Sequence, residues 1–123
     1  MKYFSLINIA GVLFLSVLLA CSGEGNRKIS VTDSDNTYEF FAKFDRHKTR
    51  RVQDFINTKI APRSSVTGDY VDITTTLDDN THFKLQATPG RIRIKLDKED
   101  NSATSYHRIK TMCEGIKKVI EEK

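Results

Sequence analysis

The chain has 123 residues, with 20 Lys and Arg against 16 Asp and Glu for a formal charge of +4, two cysteines, two prolines and no tryptophan. Sixteen of its hydrophobic residues fall in the first 21 positions, so an apolar leader is joined to a much more polar remainder. One domain at most fits this length, and the skew excludes both a multi-domain enzyme and a polytopic membrane protein.

Residues 1–21 read MKYFSLINIAGVLFLSVLLAC, with one early positive charge at Lys2, an uncharged apolar run from Tyr3 to Ala20, and small residues at its end. This is the layout of an export signal. Its last four residues, Leu18-Leu19-Ala20-Cys21, resemble the lipobox of bacterial lipoproteins, where the peptidase cuts before a cysteine whose thiol carries a diacylglyceryl group. The resemblance implies removal of a signal peptide over 1–20 and lipid attachment at Cys21. Ser5, Asn8 and Ser16 dilute the apolar run, and no basic stop-transfer cluster follows Cys21, which disfavours a single-pass anchor. Two or three acyl chains, at about 0.8 kcal/mol per buried methylene, hold a domain on a bilayer lastingly, whereas one does not. Residues 22–28 contain two glycines and no apolar side chain, so 21–28 reads as a lipidated cysteine with a short flexible tether. Once Cys21 is acylated only Cys113 remains, and no intrachain disulfide can form. Ser22 carries no acidic retention signal of the enterobacterial type, which points to the outer rather than the inner membrane.

The remainder, 29–123, reads as one small domain. Ile29 and Val31 alternate with polar neighbours and lead into the turn Asp33-Ser34-Asp35-Asn36. Over 37–44, Tyr38, Phe40, Ala42 and Phe44 take one face and Glu39, Phe41 and Lys43 the other, the period of a half-buried strand. Asp45 offers an N-cap, and Val52, Phe55, Ile56 and Ile60 recur at helical spacing until Ala61-Pro62, predicting a helix over 46–60. After a loop over 63–69, Val71, Ile73, Thr75 and Leu77 alternate. The turn at Asp78-Asp79-Asn80-Thr81 leads to Phe83, Leu85 and Ala87, and Pro89-Gly90 reverses the chain again. In the last strand Ile92, Ile94 and Leu96 face in and Arg91, Arg93 and Lys95 face out. From about Ala103 a long helix carries the stripe Tyr106, Ile109, Met112, Cys113, Ile116, Val119 and Ile120, with Glu114, Lys118 and Glu122 spaced for i to i+4 pairs. The order ββαβββα, with short connections, predicts an α+β two-layer sandwich: an antiparallel sheet of about five strands, consecutive strands paired, and two helices on one face.

No catalytic constellation emerges. Cys113 lies on the apolar stripe, and His107 is about 240° away around the same helix, so a buried inert thiol is expected. No G-x-S-x-G, glycine-rich phosphate loop, H-x-x-x-H or C-x-x-C occurs, and His47, His82 and His107 are scattered. The acidic turns at Asp33 and Asp78 lack the glycine and glutamate of a calcium loop, so hairpin-capping Asx residues explain them better. Neither an enzyme nor a metal or cofactor site is expected.

Charge divides unevenly along the chain. The segment 43–63 holds seven basic and two acidic residues, and 84–98 holds five against one. In the first, Arg46, Lys48, Arg50 and Arg51 fall at the start of a helix, where the macrodipole favours anions, so they are candidates for an anion site. In the second, Arg91, Arg93 and Lys95 form a ladder on the outer sheet face, beside His82 and Lys84, with Phe41 and Tyr70 on the same side. Such a face is ordinarily solvated cover, yet aromatics among cations also suit an acidic protein or a phosphorylated glycolipid. Export removes nucleic acid from consideration.

The expectation is a lipid-anchored, non-catalytic lipoprotein of the bacterial envelope that binds another protein as an adaptor. Recognition of an anionic envelope lipid or glycan through the basic sheet face is the alternative of another class. An inhibitor or immunity protein fits the size and address without a residue to support it.

Overall fold

The computed structural model describes residues 27–122; the expected signal peptide, Cys21 and most of the expected tether lie outside them. Five strands form one sheet: β1 (Lys28–Asp33), β2 (Thr37–Lys43), β3 (Val71–Thr76), β4 (His82–Thr88) and β5 (Arg91–Asp97). Two helices accompany it, α1 (Thr49–Ile60) between β2 and β3 and α2 (Ala103–Glu121) after β5. Every pairing is antiparallel, so the fold is the expected α+β sandwich in the expected element order.

The strand order is β1-β2-β5-β4-β3. Consecutive strands pair except across α1, which carries the chain from β2 to the far edge, and β5 then inserts between the two hairpins. The expectation that consecutive strands pair is corrected there: β2 neighbours β5, with Phe40 opposite Ile94 and Lys43 opposite Arg91. Directly opposed residues share a face, so the inward sets of all strands coincide. Phe40, Ile94 and Leu85 lie in one transverse row, each at most 1% exposed. These side chains form a single cluster with Ile56 and Ile60 of α1 and Ile109, Cys113 and Ile116 of α2. Burial of β1 is weakest: Val31 lies opposite Phe40 but is 53% exposed.

The first helix starts later than predicted. Asp45 accepts from the His47 N–H at 2.9 Å and opens a 3-10 turn over Arg46–Lys48, after which regular α-helical bonding begins at Thr49. α1 meets α2 at Gly115, where any added Cβ would come within 2.3 Å of the Phe55 ring, so glycine there sets the helix separation. The expected ion pairs along α2 are not made; Glu122 instead faces Arg51 of α1 at 4.0 Å.

Polar side chains fasten what the sheet leaves loose. Asn57 grips Val66 twice, donating to its carbonyl at 2.9 Å and accepting from its N–H at 2.6 Å, while Gln53 donates to the Gly68 carbonyl at 2.9 Å. The loop before β3 is thereby tied to α1 and buries Val66 completely. Ser102 caps α2 by accepting from the Ser105 N–H at 3.0 Å.

Candidate functional site

The side of the sheet opposite the core carries the basic ladder, and the register shows how its cations meet. Arg91, Arg93 and Lys95 alternate with the buried Ile92, Ile94 and Leu96 and are all exposed. Because β5 lies centrally, each has a neighbour on both sides. Lys28, Lys43 and Arg91 form one transverse row across β1, β2 and β5. Two steps further along β5, Phe41, Arg93 and Gln86 share a row, and beyond them Glu39, Lys95 and Lys84 share another. Three directly opposed pairs are therefore of like charge: Lys28 with Lys43, Lys43 with Arg91, and Lys84 with Lys95. Such pairs disfavour the sheet by a few tenths of a kcal/mol to about 1 kcal/mol each.

The face offers little compensation. Glu39 stands opposite Lys95 but turns diagonally to Arg93, at 2.5 Å, and the Arg93 guanidinium also lies 4.9 Å from the centroid of the Phe41 ring. Asp97 accepts from the Glu99 N–H at 2.9 Å, and Asp72 lies 3.5 Å from the Gln86 amide. Among the described residues no carboxylate pairs with Lys28, Lys43, Lys84, Arg91 or Lys95. Of the predicted ladder, Arg93 is thus largely neutralised by Glu39, while Lys84, Arg91 and Lys95 make no ion pair among the described residues. A shallow depression of about 240 Å³ runs between Phe41, Tyr70, Arg91 and Arg93, and Tyr70 stands 74% exposed at its rim.

The other basic cluster does not act as one group. The Lys48 ammonium donates to the Ile120 carbonyl at 2.6 Å and also to the Glu122 carbonyl, closing the C-terminal end of α2, where cations are favoured. Arg51 faces Glu122. Arg46 and Arg50 instead line a broad groove that also contains Asp54 and Asp69. The four candidates are therefore divided between two surfaces, and two of them serve helix-to-helix contacts. Arg46 does approach the ladder, packing beside Gly90 in the turn between β4 and β5. That turn needs glycine, since Gly90 has φ +77° and an added Cβ would fall 2.8 Å from the Phe44 carbonyl oxygen; its amide donates to the Thr49 hydroxyl at 2.8 Å.

Sequence reasoning missed Lys28 and Lys43 as members of the basic face. The outward alternation of Lys43 with Phe41 was a usable signal; the neighbour relation of β2 and β5, which aligns it with Arg91, was not.

The remaining candidates for chemistry are engaged elsewhere. Cys113 is 1% exposed, and burial pushes its thiol up to about 12, far from a nucleophilic thiolate. His107 lies on the exposed side of α2, against the Tyr106 ring. Asp33 accepts from the Lys98 ammonium at 2.6 Å and from the Tyr106 hydroxyl at 2.5 Å, and these bonds, that of Lys98 first, hold its carboxyl below the ordinary range. Asp79 accepts from the Thr81 hydroxyl at 2.6 Å and pairs with Arg108 at 2.8 Å, with the same downward effect, Thr81 leading. Asp33 and Asp79 thus hold distant parts of the chain to their turns. Among the described residues no three His, Cys, Asp or Glu side chains gather in a geometry that would hold a metal ion.

Comparison with protein-family models, with curated proteins and with solved structures finds no match to this chain.

Proposed function

We propose that the protein is a lipid-anchored, non-catalytic binding module of the bacterial cell envelope, and that its ligand surface is the basic outer face of the sheet, which takes an anionic partner. The address rests on the resemblance of Leu18-Leu19-Ala20-Cys21 to a lipobox. The observation that carries the binding role is the opposition of Lys84 to Lys95 on a sheet face where Glu39 pairs with Arg93 and, among the described residues, no carboxylate pairs with either lysine. Such an arrangement weakens the isolated domain and strengthens any complex that brings negative charge to it, the signature of a surface shaped by a ligand rather than by folding. Phe41 adds apolar contact area beside the cations.

Two measurements test this reading. Palmitate labelling should mark the wild-type protein and vanish in Cys21→Ser. A photocrosslinker at Gln86, between Lys84 and the depression, should capture an anionic partner in native membranes. Capture should be lost at high salt and in the double variant Lys84→Glu, Lys95→Glu. Adducts indifferent to charge reversal, or none at all, would refute the basic face as the binding surface.

A further inference from the structure

Resting on the lipid-anchored reading, a more specific inference concerns the end of the molecule from which the tether leaves. Lys28 opens β1, and seven residue steps separate it from Cys21. At about 3.6 Å per step, even a fully extended link lets Lys28 stand no more than about 25 Å from an acylated Cys21. The end of the sheet that holds Lys28 is therefore confined to within about 25 Å of the anchor, and so of the bilayer surface.

That end is also where the two basic clusters converge. The row Lys28, Lys43, Arg91 crosses three strands there, over about 10 Å at ordinary sheet spacing. The chain leaves β2 at the same place, and the Phe44 N–H donates to the Gly90 carbonyl at 2.8 Å, fixing the segment that leads into Arg46 against the turn between β4 and β5. Arg46 packs on that turn. Tyr70, immediately before Val71, borders the same end, since Val71 lies opposite Ala87 and the β4 strand ends at Thr88. Of the carboxylates near this end, Asp45 is occupied by the His47 N–H and ring, at 2.9 and 2.8 Å, while Asp54 and Asp69 line the groove on the helix side of Arg46. Lys84 and Lys95 lie two rows away, roughly 13 Å along the strands.

We propose that Lys28, Lys43, Arg91 and Arg46 dock this end of the domain against the phosphate head groups of the bilayer that carries the lipid anchor, with the exposed ring of Tyr70 at the interface. Covalent reach holds the cations near the membrane, their charge complements phosphate, and an exposed tyrosine suits the boundary between head groups and water. Docked by this end, the domain stands upright with Lys84 and Lys95 clear of the lipid, so the rest of the basic face stays open to its partner.

The test uses the full-length protein, processed and purified in its lipidated form, and reconstituted in vesicles of phosphatidylcholine alone or rich in phosphatidylglycerol. Acetylation of lysine amines is then followed peptide by peptide. Lys28 and Lys43 should react several-fold more slowly on the anionic vesicles, while Lys84, Lys95 and the exposed Lys117 of α2 react equally on both. Protection should disappear at high salt and, at Lys28, in the double variant Lys43→Glu, Arg91→Glu. Equal reactivity of Lys28 and Lys43 on the two vesicles would overturn the proposal, as would protection centred on Lys84 and Lys95, which would mean that the sheet lies flat. Intact mass separates the two levels of failure: a mature chain without diacylglycerol on Cys21 sinks the anchored reading and the docking with it, whereas a lipidated chain without protection sinks only the docking.

Discussion

Cys113 is buried between α2 and the sheet, and its neutral thiol is part of the core. Burial likewise raises Tyr38, which is 2% exposed, above its ordinary range. Both groups bind their protons more tightly folded than unfolded, so above the ordinary thiol value of 9.0 the unfolded chain releases protons that the native chain retains. Stability should then fall as pH rises from about 9 towards 12, with a slope approaching about 1.4 kcal/mol per pH unit from Cys113. The opposite holds for Asp33 and Asp79: their folded values lie below 3.8, so their contribution is complete above that and is lost as pH falls through the lowered values. Urea unfolding across pH should show a plateau between these limbs, and iodoacetamide should alkylate Cys113 only after denaturation. Rapid alkylation of the native protein near neutral pH would contradict the assigned burial. The thiol's burial was legible from the stripe on which Cys113 falls. The engagement of Asp33 was not, because Lys98 and Tyr106 are 65 and 73 residues away in sequence.

At the scale of elements, alternation in the sequence located all five strands, and the apolar stripe located both helices. The start of α1 was misjudged because Asp45 caps a 3-10 turn before the helix proper, a choice of hydrogen bonding that helical periodicity does not encode. The composition of the basic face was legible in part: Arg91, Arg93, Lys95 and Lys84 followed from period two, whereas the rows joining them to Lys43 and Lys28 depend on β5 lying beside β2. Those rows make an unusual mutational signature. Lys84→Glu turns a like-charge pair with Lys95 into an attractive one, and should stabilise the domain by roughly 0.2–1 kcal/mol in chemical denaturation. The same variant should bind an anionic partner less well. A destabilised Lys84→Glu protein would show that Lys84 and Lys95 do not oppose each other as the register has them.

For the molecule as a whole, cohesion comes from one apolar cluster, with no covalent crosslink among the described residues, where Cys113 is a free thiol. Ile94 is at its middle, fully buried, flanked by Phe40 and Leu85 on the adjacent strands. Ile94→Ala should cost about 2–5 kcal/mol and shift a single cooperative transition, measured by far-ultraviolet circular dichroism in urea. The two-layer class was legible because short connections and inward-facing sets leave few alternatives. The strand order was not, because it is decided by where α1 delivers the chain. That order also governs when the domain can acquire its shape. The two hairpins are synthesised first, yet the strand between them is the fifth, so a nascent chain ending before Arg91 has two separate ribbons with no shared hydrogen bonds. Closure of the sheet waits for distant segments to meet, a slow kind of step.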